Sequence, residues 1–440
     1  MTTLHSTLPA DDAGPAHAGQ VRTGWAPSAA PLRLVYAAGP GDVIGTYRHW
    51  KAGRDDPSQV GVTYSAQFFD VCRQSGAAAL VIATHARRDR LDDGRVTILH
   101  RPIPGAKLGA AGYHLGQVWA GLRLTIRAIA FRADVVFVSD YAHWFALALL
   151  PLLGIAVVPC VHCVLWPAQK APRRAQRLLN VLNRGFLRRR CCTLVASGAI
   201  AQQLQSVTGR PRGTVAQFMP TYRRWSFSGM APPRFWLGGR GPVFNVLYAG
   251  RIEPEKGIWD LLAVARQLAS SDRGQVSFDL CGTGSALAPL RQAVSQAGLA
   301  TRFRVHGHCD QATMRQMFQD ADAVIVPTRT EFVEGFNQVV VEAVLAGRPV
   351  ITSSVCPAVE YLPGAAVIVA ANDVEAYARA IVLLRDDVRF YAQVREAQAA
   401  CCPRFYDPSQ SFAAALGRAI DLAVPRKAVP RVTTNAAVTT

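Results

Sequence analysis

Twice along this chain, short runs of β-branched and other apolar residues alternate with longer Ala/Leu/Arg-rich stretches of helical spacing. The first series reads LRLVYAA (from Leu32), AALVIAT, VTILH, DVVFVS, IAVVPCVHC and CTLVASG. After a Gly- and Pro-rich break at 226–242, the second reads FNVLYAG, VSFDLCG, RFRVHG, AVIVPT, PVITSS and AVIVA. Strands alternating with helices build a parallel sheet wrapped by helices. Because the runs are continuously apolar, both sheet faces are covered. The expected fold class is α/β, with two facing, Rossmann-like, doubly wound parallel-sheet domains that bind ligands beyond the strands' carboxyl ends. A length of 440 residues accommodates two such units at about 150 residues each. Their expected bounds are 31–232 and 241–405. Residues 1–30 lack an apolar core segment and read as a disordered leader, not a signal peptide; the tail 425–440 is similar.

Charge divides the chain in the same place. Residues 1–240 hold 29 Lys+Arg and 11 acids, none of them Glu, whereas residues 241–440 hold 19 of each. The whole net charge of +18 therefore lies in the first half, which points to an anionic partner for that domain. Arg173, Arg174, Arg177, Arg184, Arg188, Arg189 and Arg190 are interleaved with Leu178, Leu179, Val181, Leu182, Phe186 and Leu187. With Arg123, Arg127 and Arg132, they suggest a face for anionic lipid headgroups. The interleaved leucines favour lipid over nucleic acid, for which no motif is present. Residues 145–166 carry no formal charge, but Pro151, Gly154 and Pro159 divide them into a buried helix ending near Leu153, a turn and a strand, not a transmembrane anchor. Cys160 and Cys163 form a lone CxxC without a second ligand pair, so cysteines are expected as small hydrophobes and no metal is expected.

Two segments carry the chemistry. In NVLYAGRIEPEKGIWD, Arg251 and Lys256 flank a strand-end loop where both can reach the cleft and hold a diphosphate. In AVIVPTRTEFVEGFNQVVVEA, Glu334 precedes a helix and Glu342 lies about two turns into it between apolar neighbours. A carboxylate there needs hydrogen-bond donors, which sugar hydroxyls would supply. The Gly335–Phe336–Asn337 turn exposes N–H groups at a helix start, suited to a phosphate. FDLCGTGS ends a strand in Gly282 and Gly284, a packing turn of close backbone approach.

The order GRIEPEKG, FDLCGTGS, RFRVHGHC, EGFNQVVVEA resembles the donor-binding domain of the retaining family 4 glycosyltransferases, which have the two-domain GT-B fold. The resemblance implies that Arg251 and Lys256 hold the nucleotide diphosphate. Glu334, Gly335, Phe336 and Asn337 would surround the transferred sugar and its phosphate, Glu342 would contact the ribose, and Gly307 and His308 would lie near the base, with Gly282 also on the donor side. Asn337 stands where family members often have Gly. VVPCVHCVLW resembles the family strand that ends in the cleft histidine, here His162. Gly61 matches the family's early glycine. The longer segment 37–61, with Tyr47, Arg48, His49, Trp50 and Lys51, is expected as an acceptor lid. The last helix, within 406–424, is expected to return to the first domain as it does in the family.

The implied activity is retaining transfer of a hexose from a nucleoside diphosphate sugar, with His162, Glu334, Arg251 and Lys256 as catalytic residues and no metal. The acceptor is expected to be lipid-linked or a saccharide at the cytoplasmic membrane surface, as in polysaccharide assembly, with the protein peripheral on the inner face. A GT-B epimerase and a catalytically silent assembly partner are the alternatives.

Overall fold

The computed structural model describes residues 31–102, 109–139, 141–167, 169–188, 192–209, 213–233, 243–270 and 275–424. The expected leader 1–30, the tail 425–440, Arg189 and Arg190 lie outside the described residues.

The first sheet comprises β1 (Arg33–Pro40), β2 (Ala78–Thr84), β3 (Asp89–Asp93), β4 (Val96–Arg101), β5 (Val135–Val138), β6 (Ala156–Val161), β7 (Cys192–Val195) and β8 (Thr214–Gln217). Their spatial order is β3-β4-β2-β1-β5-β6-β7-β8. Every pairing is parallel except β3 with β4. The antiparallel β3, DRLDD, is an edge strand whose polar side chains suit an exposed edge. The second sheet is wholly parallel, in the order β11-β10-β9-β12-β13-β14. Its strands are β9 (Phe244–Ala249), β10 (Val276–Cys281), β11 (Phe303–Gly307), β12 (Ala323–Val326), β13 (Val350–Ser353) and β14 (Ala366–Val369).

Helices of the first lobe are α1 (Val43–Lys51), α2 (Tyr64–Ser75), α3 (Gly109–Ala130), the single turn α4 (Leu149–Leu152), α5 (Arg174–Leu187) and α6 (Gly198–Thr208). The short α7 (Arg224–Phe227) follows β8. The second lobe adds α8 (Ile258–Ala269), α9 (Leu287–Gln296), α10 (Gln311–Asp320), α11 (Gln338–Leu345), α12 (Val374–Asp386) and α13 (Val388–Cys401). The last helix, α14 (Phe412–Ala423), packs against α2 and β7, and Phe412, Leu416 and Ile420 join the first lobe's core. Among the described residues the chain thus crosses between lobes twice, and the crossings touch. Met219 N–H donates to the Gln410 carbonyl at 2.9 Å, and Tyr222 N–H to that of Phe405 at 3.1 Å.

Two expectations change. Segment 37–61 is not a lid-like loop, because residues 43–51 form α1. The Asp42 carboxylate caps that helix by accepting from Gly45 N–H at 2.8 Å, and Val43, Ile44 and Tyr47 are buried beneath it. Residues 145–166 do divide at Gly154, but Leu149, Leu152 and Leu153 are exposed, not buried. No helix among the described residues is long and apolar enough to cross a membrane.

Candidate active site

The site begins at the carboxyl ends of β9, β10 and β11, where the strands stop in glycines held edge to edge. Gly250 N–H donates to the Cys281 carbonyl at 3.0 Å and Gly282 N–H to the Gly307 carbonyl at 2.7 Å. A Cβ on Gly282 would lie 1.7 Å from the Gly250 carbonyl oxygen, so only glycine permits this approach. The exposed His308 follows at the end of this shelf. Glu253 ties the next loop to it by accepting from Ser285 N–H at 3.0 Å.

Above the shelf, Glu334 is a buried node. Its Oε2 accepts from Lys256 Nζ at 2.5 Å, Asn337 Nδ2 at 2.9 Å and Thr328 Oγ1 at 3.2 Å. The Lys256 ammonium also sits 4.0 Å from the centre of the Phe332 ring, and the Arg251 guanidinium lies 5.1 Å from that ring. An aromatic ring attracts both cations and holds them side by side against their mutual repulsion. Tyr248 steadies the Arg251 loop by donating its hydroxyl to the Arg251 carbonyl at 2.6 Å. Arg329 fastens the opposite loop to α8 through both carboxylate oxygens of Asp260, at 2.6 and 2.8 Å. Lys256 keeps donors to spare after serving Glu334, and Arg251 remains exposed.

The turn into α11 supplies uncharged donors. Asn337 holds φ at 69°, the left-handed region that glycine prefers and asparagine tolerates, which accounts for Asn where the family often has Gly. Phe336 is buried and stacks on Tyr361 with ring centres 5.4 Å apart. Among the described residues, none accepts a hydrogen bond from the N–H of Gly335, Phe336 or Asn337. Unpaired N–H groups in a buried turn are rare and suit an anion. Farther along α11, Glu342 is buried among apolar side chains, and burial pushes its carboxyl up to about 7.

The facing lobe meets this turn directly. A Cβ on Gly335 would lie 1.7 Å from the His162 carbonyl oxygen, so backbone abuts backbone across the cleft. His162 sits just beyond β6, walled by the rings of Tyr64, Phe218 and Phe412 at 4.6, 5.3 and 5.7 Å. Its Nε2 is 3.1 Å from Ser139 Oγ, while its buried Nδ1 has no partner. Burial pulls the imidazole down to about 4, so it is neutral at pH 7. Lys170 reaches across to Glu331 at 3.0 Å, and chiefly this pairing brings the Glu331 carboxyl down to about 2.

Other expected residues fall elsewhere. Tyr47 and Trp50 pack on Phe69 and donate to Asp93 and Asp70, both at 2.9 Å, so they are structural rather than part of an acceptor lid. Arg48 is exposed on α1. Gly61 lies against Tyr222, whose ring carbon would be 3.1 Å from an added Cβ, at the strap between lobes. Arg173, Arg174, Arg177, Arg184 and Arg188 are exposed on and beside α5. Phe332, Thr328, Ser139 and the aromatic wall around His162 were not anticipated. Phe332 alone left a trace, as a lone aromatic in a polar loop between Glu331 and Glu334. Among the described residues, no three His, Cys, Asp or Glu side chains gather as a metal site would require.

The family model described as glycosyl transferases group 1 matches residues 243–387, and that described as glycosyl transferase 4-like domain matches 61–220. Glycogen synthase of Mycobacterium tuberculosis is 27% identical over 293 residues, covering 62% of this chain and 67% of its own length. Among solved structures, sucrose-phosphate synthase from Thermosynechococcus elongatus superposes with a TM-score of 0.65 at 16% identity, covering 88% of this chain and 98% of its own. Anabaena HepE, solved in complex with UDP-glucose, has a TM-score of 0.58 at 16% identity, covering 89% and 98%.

Proposed function

The chain belongs to the group 1, family 4-type glycosyltransferases of GT-B fold, and from that premise we propose that it transfers a hexose, with retention, from a nucleoside diphosphate sugar to a lipid-linked or saccharide acceptor. One observation carries the donor half of this reading. Arg251 and Lys256, gathered on Phe332, stand beside the unpaired N–H groups of Gly335, Phe336 and Asn337. Fixed cations and N–H dipoles are what a departing diphosphate needs, since its developing charge is the main barrier. The bound UDP-glucose of the similarly folded HepE is consistent with such a donor.

The reaction breaks the bond between the anomeric carbon and the β-phosphate oxygen and forms one to the acceptor oxygen on the same face. The departing phosphate oxygen takes the acceptor's proton. Burial leaves His162 too weak a base to compete for that proton, and it instead orients the sugar as part of the cleft wall. Glu334 keeps Lys256 aimed, and Glu342 accepts ribose hydroxyls. No metal is required, because the cations supply the countercharge.

The acceptor half is supported by the basic, leucine-bearing surface of the first lobe, which suits a peripheral role at the cytoplasmic membrane face, in glycan assembly. Screening UDP- and GDP-sugars by thermal shift and hydrolysis tests the donor, and one that neither shifts nor turns over with any of them would end this reading. Epimerised sugar from donor alone would favour an epimerase; binding without turnover would favour a silent partner.

A further inference from the structure

An open hollow of about 510 Å³ on the first lobe is lined by Arg88, Asp89, Arg90, Arg101, Arg123 and Arg127. It lies where β4 ends and α3 passes, on the opposite lobe from the donor cations. Arg90 is matched by Asp92 at 2.6 Å, and Arg101 donates to the carbonyls of His100 and Asp89 at 2.7 and 3.2 Å. Among the described residues, Arg88, Arg123 and Arg127 have no acidic partner within ion-pair distance. Burial first, and then the charges of Arg123 and Arg101, lower the Arg127 pKa, with Tyr141 offsetting part of the fall. Five guanidinium groups against the carboxylates of Asp89 and Asp92 leave an excess of positive charge that an anion at the centre would offset, and their planar forks match phosphate oxygens.

The hollow adjoins bare apolar surface. Arg123 and Arg127 each follow a residue of the stripe Leu115, Trp119, Leu122, Ile126 and Ile129, one step around the same helix. Leu115 is 71% exposed, Trp119 52% and Ile126 66%, and the adjoining turn α4 presents Leu152 at 83%. On a soluble surface a ridge of this kind is unfavourable, whereas beneath headgroups it is buried in acyl chains.

We propose that this hollow binds the phosphate group of a membrane lipid while the α3–α4 ridge sits in the acyl layer, giving the enzyme a headgroup site separate from its donor cleft. It rests on the reading of the first lobe as membrane-facing and adds to it a preference for exposed phosphomonoesters over phosphodiesters at equal vesicle charge. Charge on α5 alone would show no such preference.

The full chain is floated with phosphatidylcholine vesicles carrying phosphatidic acid, or phosphatidylglycerol matched for charge. Wild type is expected to bind the phosphatidic acid vesicles more tightly, and Arg123→Gln with Arg127→Gln to lose about 30-fold on phosphatidylglycerol through charge alone and about tenfold more than that on phosphatidic acid, which abolishes the preference. Arg174→Gln with Arg177→Gln should weaken both alike, and Leu115→Ser with Trp119→Ser should release both. Melting curves confirm that each variant is folded. If wild type binds vesicles without preference, or the Arg123/Arg127 variant retains it, the headgroup site is refuted and the membrane reading survives. If wild type binds no vesicle, both fall. Calorimetry with inorganic pyrophosphate is the last arm: tight binding lost in the Arg123/Arg127 variant, without lipid preference, would assign the hollow to a soluble phosphate and overturn the proposal.

Discussion

Replacing Gly335 by alanine tests whether catalysis requires the two lobes to meet as closely as they do here. Gly335 has no left-handed φ, so alanine carries no backbone strain there, and its only cost is collision. The new Cβ would lie 1.7 Å from the His162 carbonyl oxygen and 2.8 Å from its carbon, where contacts under 3.0 Å are essentially never seen. The lobes must therefore part by about 1 Å at this point. Misplacement by about 1 Å typically costs about 10²-fold in rate. Each lobe keeps its own core, so folding should be little affected. The expected result is turnover reduced about 100-fold, with a near-native melting temperature and an affinity for the free nucleoside diphosphate close to wild type, because the cations lie within one lobe. Turnover within about twofold of wild type, in a folded variant, would show that the contact has no bearing on the reaction.

Further outcomes follow from single side chains. Lys256→Ala should lower turnover by about 10²–10³-fold; it should also weaken diphosphate binding, and wild-type rates would remove its assigned role. Glu342 has a folded pKa of about 7 against an ordinary 4.5, so the stability of its protonated form is full below 4.5 and is lost as pH rises through 7. The unliganded protein should lose up to about 3 kcal/mol across that window, and Glu342→Gln should flatten the loss in melts between pH 5 and 8; an unchanged slope would speak against it. Changing Arg177, Arg184 and Arg188 to Gln should weaken binding to anionic vesicles by about 100-fold at about 1 kcal/mol per charge, with transfer to a soluble acceptor retained. Undiminished flotation would exclude α5 from the contact.

The donor lobe was legible because its signals are local. A glycine or charged residue just after an apolar run, or in the polar loop that follows it, falls at a strand's carboxyl end, so Gly282 and Arg251, and then Lys256 and Glu334, could be placed without knowing their neighbours. Glu342 was legible for a different reason, as a carboxylate inside an apolar helix. The α1 helix was hidden by Gly39, Gly41, Gly45 and Gly53, which made 37–61 look like a loop although Asp42, Val43, Ile44 and Tyr47 already held a cap and a buried face. Strand β3 was missed because DRLDD contains no apolar run. The exposed leucines of α3 and α4 were hardest, since periodicity marks a face as apolar but not whether another element covers it. Phe332 and the rings around His162 depend on side chains distant in sequence, including Phe412 from the last helix.

Because the polypeptide passes between lobes as two adjoining strands of chain, bonded at Met219–Gln410 and Tyr222–Phe405, the molecule is built like a book with a two-ply spine. Such a spine lets the covers swing but resists shear and twist, so opening the cleft to release product should retain the alignment of His162 with Gly335 for the next closure. Cutting one ply between residues 402 and 411 would leave α14 seated in the first lobe and free the donor lobe to wobble, with fidelity of closure lost before either cover unfolds.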